Sequence, residues 1–291
     1  MTMRVAADPL TQYLTTADGR TLCYADWGAA PGGAPDGYPV LSLHGSAGCR
    51  LGVRSPEQVG ALGARLITYD RPGYGRSHRR GPGTAVVDHV VDVEAVADAL
   101  GIDEFAITGG SGGGPHALAV AARLPGRVSR LSNFAALAPF DLMGFEAYTR
   151  DQDDWTKDYL AKVRESEAVC EAFFKGMDDE MRGELAADDP MREASLEQCR
   201  DGVMGWVDDE RALQAPWGFD VGDITAPTVV YANPNDPTTP PNHAEWLVAR
   251  IPGAVLVTST NANAHVAIDD PDRWRQALYS WLVQGGTPAV P

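Results

Sequence analysis

One serine of this 291-residue chain stands in a glycine cluster whose spacing is typical of a catalytic nucleophile. The segment Gly109-Gly110-Ser111-Gly112-Gly113 fits the pattern Gly-x-Ser-x-Gly, and it lies between a predicted strand and a predicted helix. On such a sharp turn the serine hydroxyl projects above the edge of a sheet, and close neighbours must lack a Cβ atom. N–H groups at the start of the following helix favour negative charge there. We therefore predict that Ser111 is a nucleophile.

Two other interpretations of this cluster stay open at this point. The first is a plain glycine-rich turn between a strand and a helix. The second is a nucleotide-binding loop, because the spacing of Gly112, Gly114 and Ala117 also fits a loose dinucleotide pattern. That pattern normally belongs to the first strand–helix unit of a sheet, whereas this one follows several strands. No Gly-Lys-Ser/Thr follows, which excludes a P-loop.

A serine nucleophile needs a base to accept its proton and a carboxylate to orient that base. Of the six histidines, His265 lies in a polar loop between the last predicted strand and the last predicted helix. In a doubly wound sheet such a loop lies at the same edge as the serine turn. We predict His265 as the base, with His116, on the helix after Ser111, as the alternative.

The predicted acid is Asp236, which lies in a turn-rich loop directly after the strand ending at Ala232. The chain order Ser111, Asp236, His265 is the order that this serine motif predicts. Asp141 follows the preceding strand and is the alternative acid. Two N–H donors should hold the oxyanion, and we expect them from Gly112 and from Ser46 in the His44–Gly48 loop. A simple tight turn is the alternative for that loop.

The elements that must position these residues alternate between strands and helices, which predicts an α/β fold with a doubly wound, mostly parallel sheet. Asp18-Gly19 predicts a hairpin at the start of the chain. Thr84–Leu100 has a helical apolar stripe, for which Thr84 is the expected N-cap and Gly101 the C-terminal stop. Buried strands are predicted at Val40–Leu43, Arg65–Tyr69, Phe105–Thr108, Val128–Ala135, Pro227–Ala232 and Ala254–Thr258.

The composition changes between the predicted strands ending at Ala135 and beginning at Pro227. The segment 141–215 has 21 Asp and Glu against nine Lys and Arg, so it carries −12 of the net charge of −16. It has few glycines and long runs compatible with helices. We predict a helical cap at 139–216, inserted into a core formed by 1–138 and 217–291. Its charge is typical of a solvated helical face, and an acidic entrance for cationic substrates is the alternative.

Charge and composition also restrict the partners. A net charge of −16 argues against nucleic acid and anionic membrane surfaces, both of which select basic patches. The four cysteines have no CxxC spacing, and neither a secretory signal nor a run of about 18 apolar residues is present. We expect a cytoplasmic enzyme with a small-molecule substrate. The histidine and acid spacings imply no metal, and we expect no cofactor. The sequence makes no prediction of oligomeric state.

Together these segments resemble the α/β-hydrolase superfamily, specifically a serine esterase-like branch with a helical cap. The resemblance rests on five motifs in order: 43–48, 69–77, 109–115, the Asn-Asp236-Pro loop and Asn-Ala-His265. It implies a hydrolase that cleaves an ester or related acyl bond through a Ser-His-Asp triad. Ser at 111 rather than Asp separates the chain from the epoxide hydrolase and haloalkane dehalogenase branches. The glycine cluster around Ser111 also lacks the aromatic flank seen in proline iminopeptidases, which argues against aminopeptidase activity.

Two departures from the family pattern occur near the predicted triad. Ala264 precedes His265 where the family usually has glycine, and the loop before Asp236 also lacks its usual glycine. The superfamily includes proteins of other function, and fold alone does not choose among them. A cofactor-free lyase or oxygenase that uses the His–Asp pair as base, or a non-catalytic ligand receptor, is therefore the alternative function.

Overall fold

The computed structural model of the chain describes residues 8–258 and 271–289. Within these residues eight strands form one sheet in the order β1-β2-β4-β3-β5-β6-β7-β8. The first two strands form the predicted hairpin, and all pairings from β4 through β8 are parallel. The strands are β1 Gln12–Thr15, β2 Thr21–Asp26, β3 Tyr38–Leu43, β4 Ala64–Tyr69, β5 Phe105–Gly110, β6 Val128–Phe134, β7 Thr228–Ala232 and β8 Val255–Thr258.

The central strands are apolar on both faces because helices cover both sides of the sheet. On one side the apolar core contains Val93 of the helix Val90–Ala99 and Leu118 of the helix Gly113–Arg123, packed with Leu41 and Ile107 of the sheet. On the other side Leu282 of the C-terminal helix packs in a second cluster with Val40 and other sheet residues. The fold class predicted from the alternating pattern is confirmed.

Eleven α-helices occur in the described part of the chain, and six of them lie between β6 and β7. In this segment Phe174 and Cys170 are buried against Trp206 and Val207, in an apolar cluster that also includes Tyr74 from outside the segment. The helices are α1 Pro56–Ala61, α2 Val90–Ala99, α3 Gly113–Arg123, α4 Phe140–Met143, α5 Phe145–Thr149, α6 Asp154–Val163, α7 Glu167–Glu184, α8 Arg192–Gln198, α9 Met204–Gln214, α10 Pro241–Val248 and α11 Pro271–Gln284.

The start of the second helix differs from the prediction, whereas its end agrees. A 3-10 turn at Val86–His89 precedes α2, and the Thr84 hydroxyl donates to the Gly81 carbonyl oxygen at 2.8 Å instead of capping a helix. Gly101 follows the helix with φ 65°, as its expected role as a stop requires. Among the described helices, none combines the length and the hydropathy that crossing a bilayer requires.

The parallel registers bring the predicted site to one edge of the sheet. Leu43 pairs with Gly109, Gly110 with Phe134, and Phe134 with Tyr231, so β3, β5, β6 and β7 end side by side. The chain segments that leave these strands are those that hold Ser46, Ser111 and Asp236. Ligand sites of open α/β sheets lie at this edge.

Candidate active site

Ser111 occupies a left-handed turn between β5 and α3. Its φ is 51°, a value that non-glycine residues rarely adopt. The Ser111 N–H donates to the carbonyl oxygen of Phe134 at 3.1 Å, and the Gly114 N–H donates to the Ser111 carbonyl oxygen at 2.9 Å. These two bonds, together with the strand and the helix on either side, hold Ser111 in this strained conformation.

The glycines around Ser111 are required by close packing. A Cβ atom at Gly113 would overlap the backbone of Leu43 and His44, and one at Gly110 would overlap the Phe134 ring. The helix that begins at Gly113 thereby approaches the end of β3 closely enough to bring the two loops together. This packing explains the glycines of the motif more fully than the turn alone does.

Ser46 lies directly against the start of α3. Its backbone nitrogen is 3.1 Å from the position that a Cβ atom would take on Gly112, and a Cβ on Gly45 would lie 3.3 Å from the Ser111 Cβ. The loop after β3 therefore runs alongside Ser111. His44 braces this loop: its Nε2 accepts from the Arg71 N–H at 3.0 Å, and its Nδ1 lies 2.8 Å from the Gly45 carbonyl oxygen. Burial lowers the pKa of His44 to about 3, so the ring is neutral.

Asp236 is buried, with 3% of its surface exposed. Its Oδ1 accepts from the N–H groups of Thr238 and Thr239 at 2.8 and 2.9 Å, and its Oδ2 accepts from the Thr239 hydroxyl at 2.6 Å. Thr238 and Thr239 also line the cavity that contains Ser111. The Asp236 loop thus contributes to the same wall.

The other predicted residues differ in what the structure shows. Asp141 is exposed in the first turn of α4. His116 is fully buried, and its Nε2 is 2.8 Å from the Asp209 carboxylate. His265, the predicted base, lies outside the described residues, as do Ala264 and the two aspartates at 269 and 270.

A buried carboxylate that the sequence analysis did not single out joins the helices between β6 and β7 to the Ser46 loop. Asp209 of α9 accepts from the Ser46 hydroxyl at 2.7 Å and from the Tyr74 hydroxyl at 3.0 Å, and it pairs with Arg71. Burial opposes the charge on Asp209, but Arg71 and the His116 hydrogen bond outweigh it and hold the pKa of Asp209 well below its usual range. The carboxylate is therefore ionised and fixes the Ser46 side chain.

Glu210, the next residue, was also missed. Burial, followed by the charge of Asp209, raises the pKa of the Glu210 carboxyl to about 7, although the hydroxyls of Ser46 and Tyr159 lower it in part. A sequence signal existed: Trp206, Asp209, Glu210 and Leu213 have the i, i+3, i+4, i+7 spacing of one helix face. Two acidic residues on an otherwise apolar helix face indicate that both carboxylates are buried and have a structural or functional role.

These residues enclose a cavity of about 180 Å³ between the sheet edge and the helices that lie between β6 and β7. Ser46, Ser111 and Gly112 form its floor, and helices α5, α6, α7 and α9 form much of its wall. Four aromatic side chains of these helices line the cavity: Tyr148, Trp155, Tyr159 and Trp206. Within the described residues no group of three histidines, cysteines or acids is close enough together to hold a metal ion.

Comparison with known proteins identifies the family. A family model described as alpha/beta hydrolase fold matches residues 38–272. The chain belongs to this hydrolase family. The match contains β3, the Ser111 turn, the helices between β6 and β7 and the Asp236 loop, so it covers both walls of the cavity.

Two curated relatives differ in the activity that their names state. The pimeloyl-[acyl-carrier protein] methyl ester esterase of Aromatoleum aromaticum is 30% identical over 210 residues, which cover 67% of this chain and 78% of that protein. The proline iminopeptidase of Neisseria gonorrhoeae is 38% identical over 104 residues, 34% of this chain; the match spans only 33% of that protein. Among solved structures, an esterase from Exiguobacterium antarcticum has a TM-score of 0.70 at 19% identity, covering 94% of this chain and 99% of that one, which supports the fold.

Proposed function

We propose that this protein is a serine hydrolase that cleaves an ester or related acyl bond of a small organic molecule. One observation carries the proposal: Ser111, on a turn with φ 51°, lines a cavity whose floor also contains Ser46 and Gly112. A nucleophile and two candidate oxyanion donors therefore meet at one point. The methyl ester esterase among the relatives is consistent with this class of substrate.

In the proposed reaction the Ser111 hydroxyl oxygen attacks the acyl carbon while its proton moves to His265. The carbonyl oxygen becomes an oxyanion, which accepts hydrogen bonds from the N–H groups of Ser46 and Gly112. His265 then returns the proton to the departing alkoxide, which leaves as an alcohol and an acyl-enzyme remains. Water, activated by the same histidine, hydrolyses the acyl-enzyme and releases the acid. Asp236 orients His265 throughout.

The buried position of Asp209 supports the role of Ser46. Because Asp209 accepts a hydrogen bond from the Ser46 side chain, rotation of that side chain is restricted and the backbone beside Gly112 is held in place. The donor geometry is then set before substrate binds, which is the condition under which oxyanion donors are most effective.

We further propose that 139–216 form the cap that encloses the substrate, as the cavity wall formed by α5, α6, α7 and α9 suggests. A small-molecule substrate fits the volume of about 180 Å³.

The four cysteines are buried thiols with no disulfide among them, and all lie in the described part of the chain. This agrees with the proposed location in the cytoplasm.

The test uses a series of p-nitrophenyl esters of increasing acyl length. Ser111→Ala should lower kcat by about 10⁶-fold while leaving the fold intact, because the side chain lies at a cavity and leaves no hole in the core. Ser55→Ala is the matched control, since Ser55 also has φ 51° but lies before α1, away from the cavity. Ser55→Ala should keep wild-type activity.

Retention of more than a tenth of the activity by Ser111→Ala would overturn the assignment of the nucleophile. An inert wild-type enzyme across the whole ester series would instead favour the lyase, oxygenase or receptor alternatives. The acyl length with the highest kcat/KM reports the part of the cavity that the acyl group occupies.

A further inference from the structure

One group on the cavity wall is not used by the proposed triad chemistry. Glu210 lies on α9 with 8% of its surface exposed, and it lines the same cavity as Ser111. Within the described residues it is the only charged side chain on that wall. A buried carboxyl normally requires a partner that compensates the loss of water, and ionisation without a nearby positive charge is costly.

The nearby charges do not compensate Glu210. Arg71 is already paired with Asp209, the residue next to Glu210, so the pair contributes little net charge. The neighbouring histidines His44 and His116 are neutral, because burial lowers the pKa of each. An ionised Glu210 therefore adds an uncompensated negative charge to the cavity.

Aromatic rings line the same cavity as this carboxyl. Tyr159 and Trp206 line the cavity with Glu210, and the Trp206 Nε1–H donates to the Tyr159 hydroxyl at 3.1 Å, which fixes both rings. The Trp155 ring lies 5.5 Å from that of Tyr159, and Tyr148 completes the aromatic wall. Aromatic faces attract cations, most strongly where water is excluded.

We propose that Glu210 and these aromatic rings bind a positively charged ammonium group of the substrate. The inference rests on the proposed function, because it places the cation on a molecule whose acyl carbon reaches Ser111. A protonated amine would supply the positive charge that the wall lacks, and the net charge of −12 on the cap segment would attract it. The enzyme is then selective for esters that carry an amine.

An isosteric pair of esters tests this selectivity. In 2-(dimethylamino)ethyl acetate a protonated nitrogen replaces the branching carbon of 3-methylbutyl acetate, so the two differ in charge at nearly equal shape. At pH 7.5 the wild-type kcat/KM should be about tenfold or more higher for the amine. In Glu210→Gln, which keeps the side-chain shape, this ratio should fall to about one.

Asp208→Asn is the matched control, because it removes one charge from the same helix. Asp208 pairs with Arg79 and does not line the cavity, so the ratio should stay as in the wild type. A wild-type ratio of one or less, or a high ratio that Glu210→Gln retains, would overturn the proposal.

A binding measurement separates this inference from the triad. Tetramethylammonium does not titrate, and its affinity for Ser111→Ala can be followed by tryptophan fluorescence with no turnover. Because the pKa of Glu210 is about 7, binding should be about tenfold weaker at pH 6 than at pH 8. This pH dependence should disappear in Ser111→Ala/Glu210→Gln.

The other ionisable groups packed around Glu210 in the described chain titrate outside this range. The pKa of Asp209 is well below its usual value, those of Arg71, Tyr74, Tyr148, Tyr159 and Cys170 are raised, and those of His44 and His116 are lowered. The double variant retains His265, so a pH dependence of binding that came from His265 would persist in it. No binding at pH 8, or binding that Glu210→Gln leaves unchanged, would refute the inference, whatever the ester assays show about Ser111.

Discussion

Replacing Asp209 by asparagine should cost a large part of the stability of this protein. Arg71 is fully buried, and Asp209, with 3% of its surface exposed, is its only carboxylate partner among the described residues. Two of the three guanidinium nitrogens of Arg71, Nε and Nη2, already have no hydrogen-bond partner there. Asp209→Asn would therefore leave an uncompensated buried charge.

Removing one partner of a buried ion pair costs about 3–5 kcal/mol. Single domains are typically stable by about 5–15 kcal/mol, so the variant should lose a large fraction of its free energy of unfolding. Urea denaturation followed by circular dichroism measures the loss as a lower midpoint at unchanged slope. Asp208→Asn, which breaks the more exposed pair with Arg79, should cost less than about 1 kcal/mol.

A double variant shows whether the loss comes from the unpaired arginine. Arg71→Met with Asp209→Leu replaces both charges by apolar side chains of similar volume, and it should recover most of the lost stability. The reasoning is refuted if Asp209→Asn costs no more than Asp208→Asn. It is also refuted if the double variant is less stable than Asp209→Asn alone, since the cost would then lie in the lost hydrogen bonds and packing.

Three further predictions concern the site and its support. Asp236→Asn should lower kcat by about 10⁴-fold with KM little changed, while Asp141→Asn should do neither; the reverse result would move the acid to Asp141. Gly113→Ala should destabilise by about 1–3 kcal/mol through overlap with the backbone of β3, whereas Gly176→Ala, in open space on α7, should stabilise by up to about 1 kcal/mol in thermal melts. The pKa of Glu210 is raised from 4.5 to about 7, so its ionisation opposes folding. As the pH rises from 4 to 8, the free energy of unfolding of the wild type should fall by about 3 kcal/mol relative to that of Glu210→Gln. Parallel curves of stability against pH for the two proteins would contradict this.

The local patterns were sufficient to predict the sheet and the serine turn. Apolar runs such as Val40–Leu43 are buried on both faces, and they are strands in the structure because short continuous runs bounded by turn residues fit a covered parallel sheet. The Gly-x-Ser-x-Gly spacing indicated the left-handed turn at Ser111, since only small neighbours allow it. The prediction that Thr84 caps the helix is wrong, because its hydroxyl donates to a backbone carbonyl oxygen in the preceding turn.

The long-range pairing of Asp209 on α9 could not be predicted in the same way. Nothing within a few residues of Asp209 indicates that its partners are Ser46, Arg71 and His116, which lie more than 90 residues away in the chain. Only the tertiary fold brings those donors to one carboxylate. The position of Glu210 beside the cavity depends on the same helix, so the cation-binding role also required the structure.

The most direct test of the central claim is the site of covalent modification by a fluorophosphonate. The wild-type protein should take up one phosphonyl group per chain, and mass spectrometry of its peptides should locate that group on Ser111. Ser111→Ala should take up none, and Ser55→Ala should react like the wild type. No adduct on the wild-type protein, or an adduct on a residue other than Ser111, would contradict the proposal that Ser111 is the nucleophile.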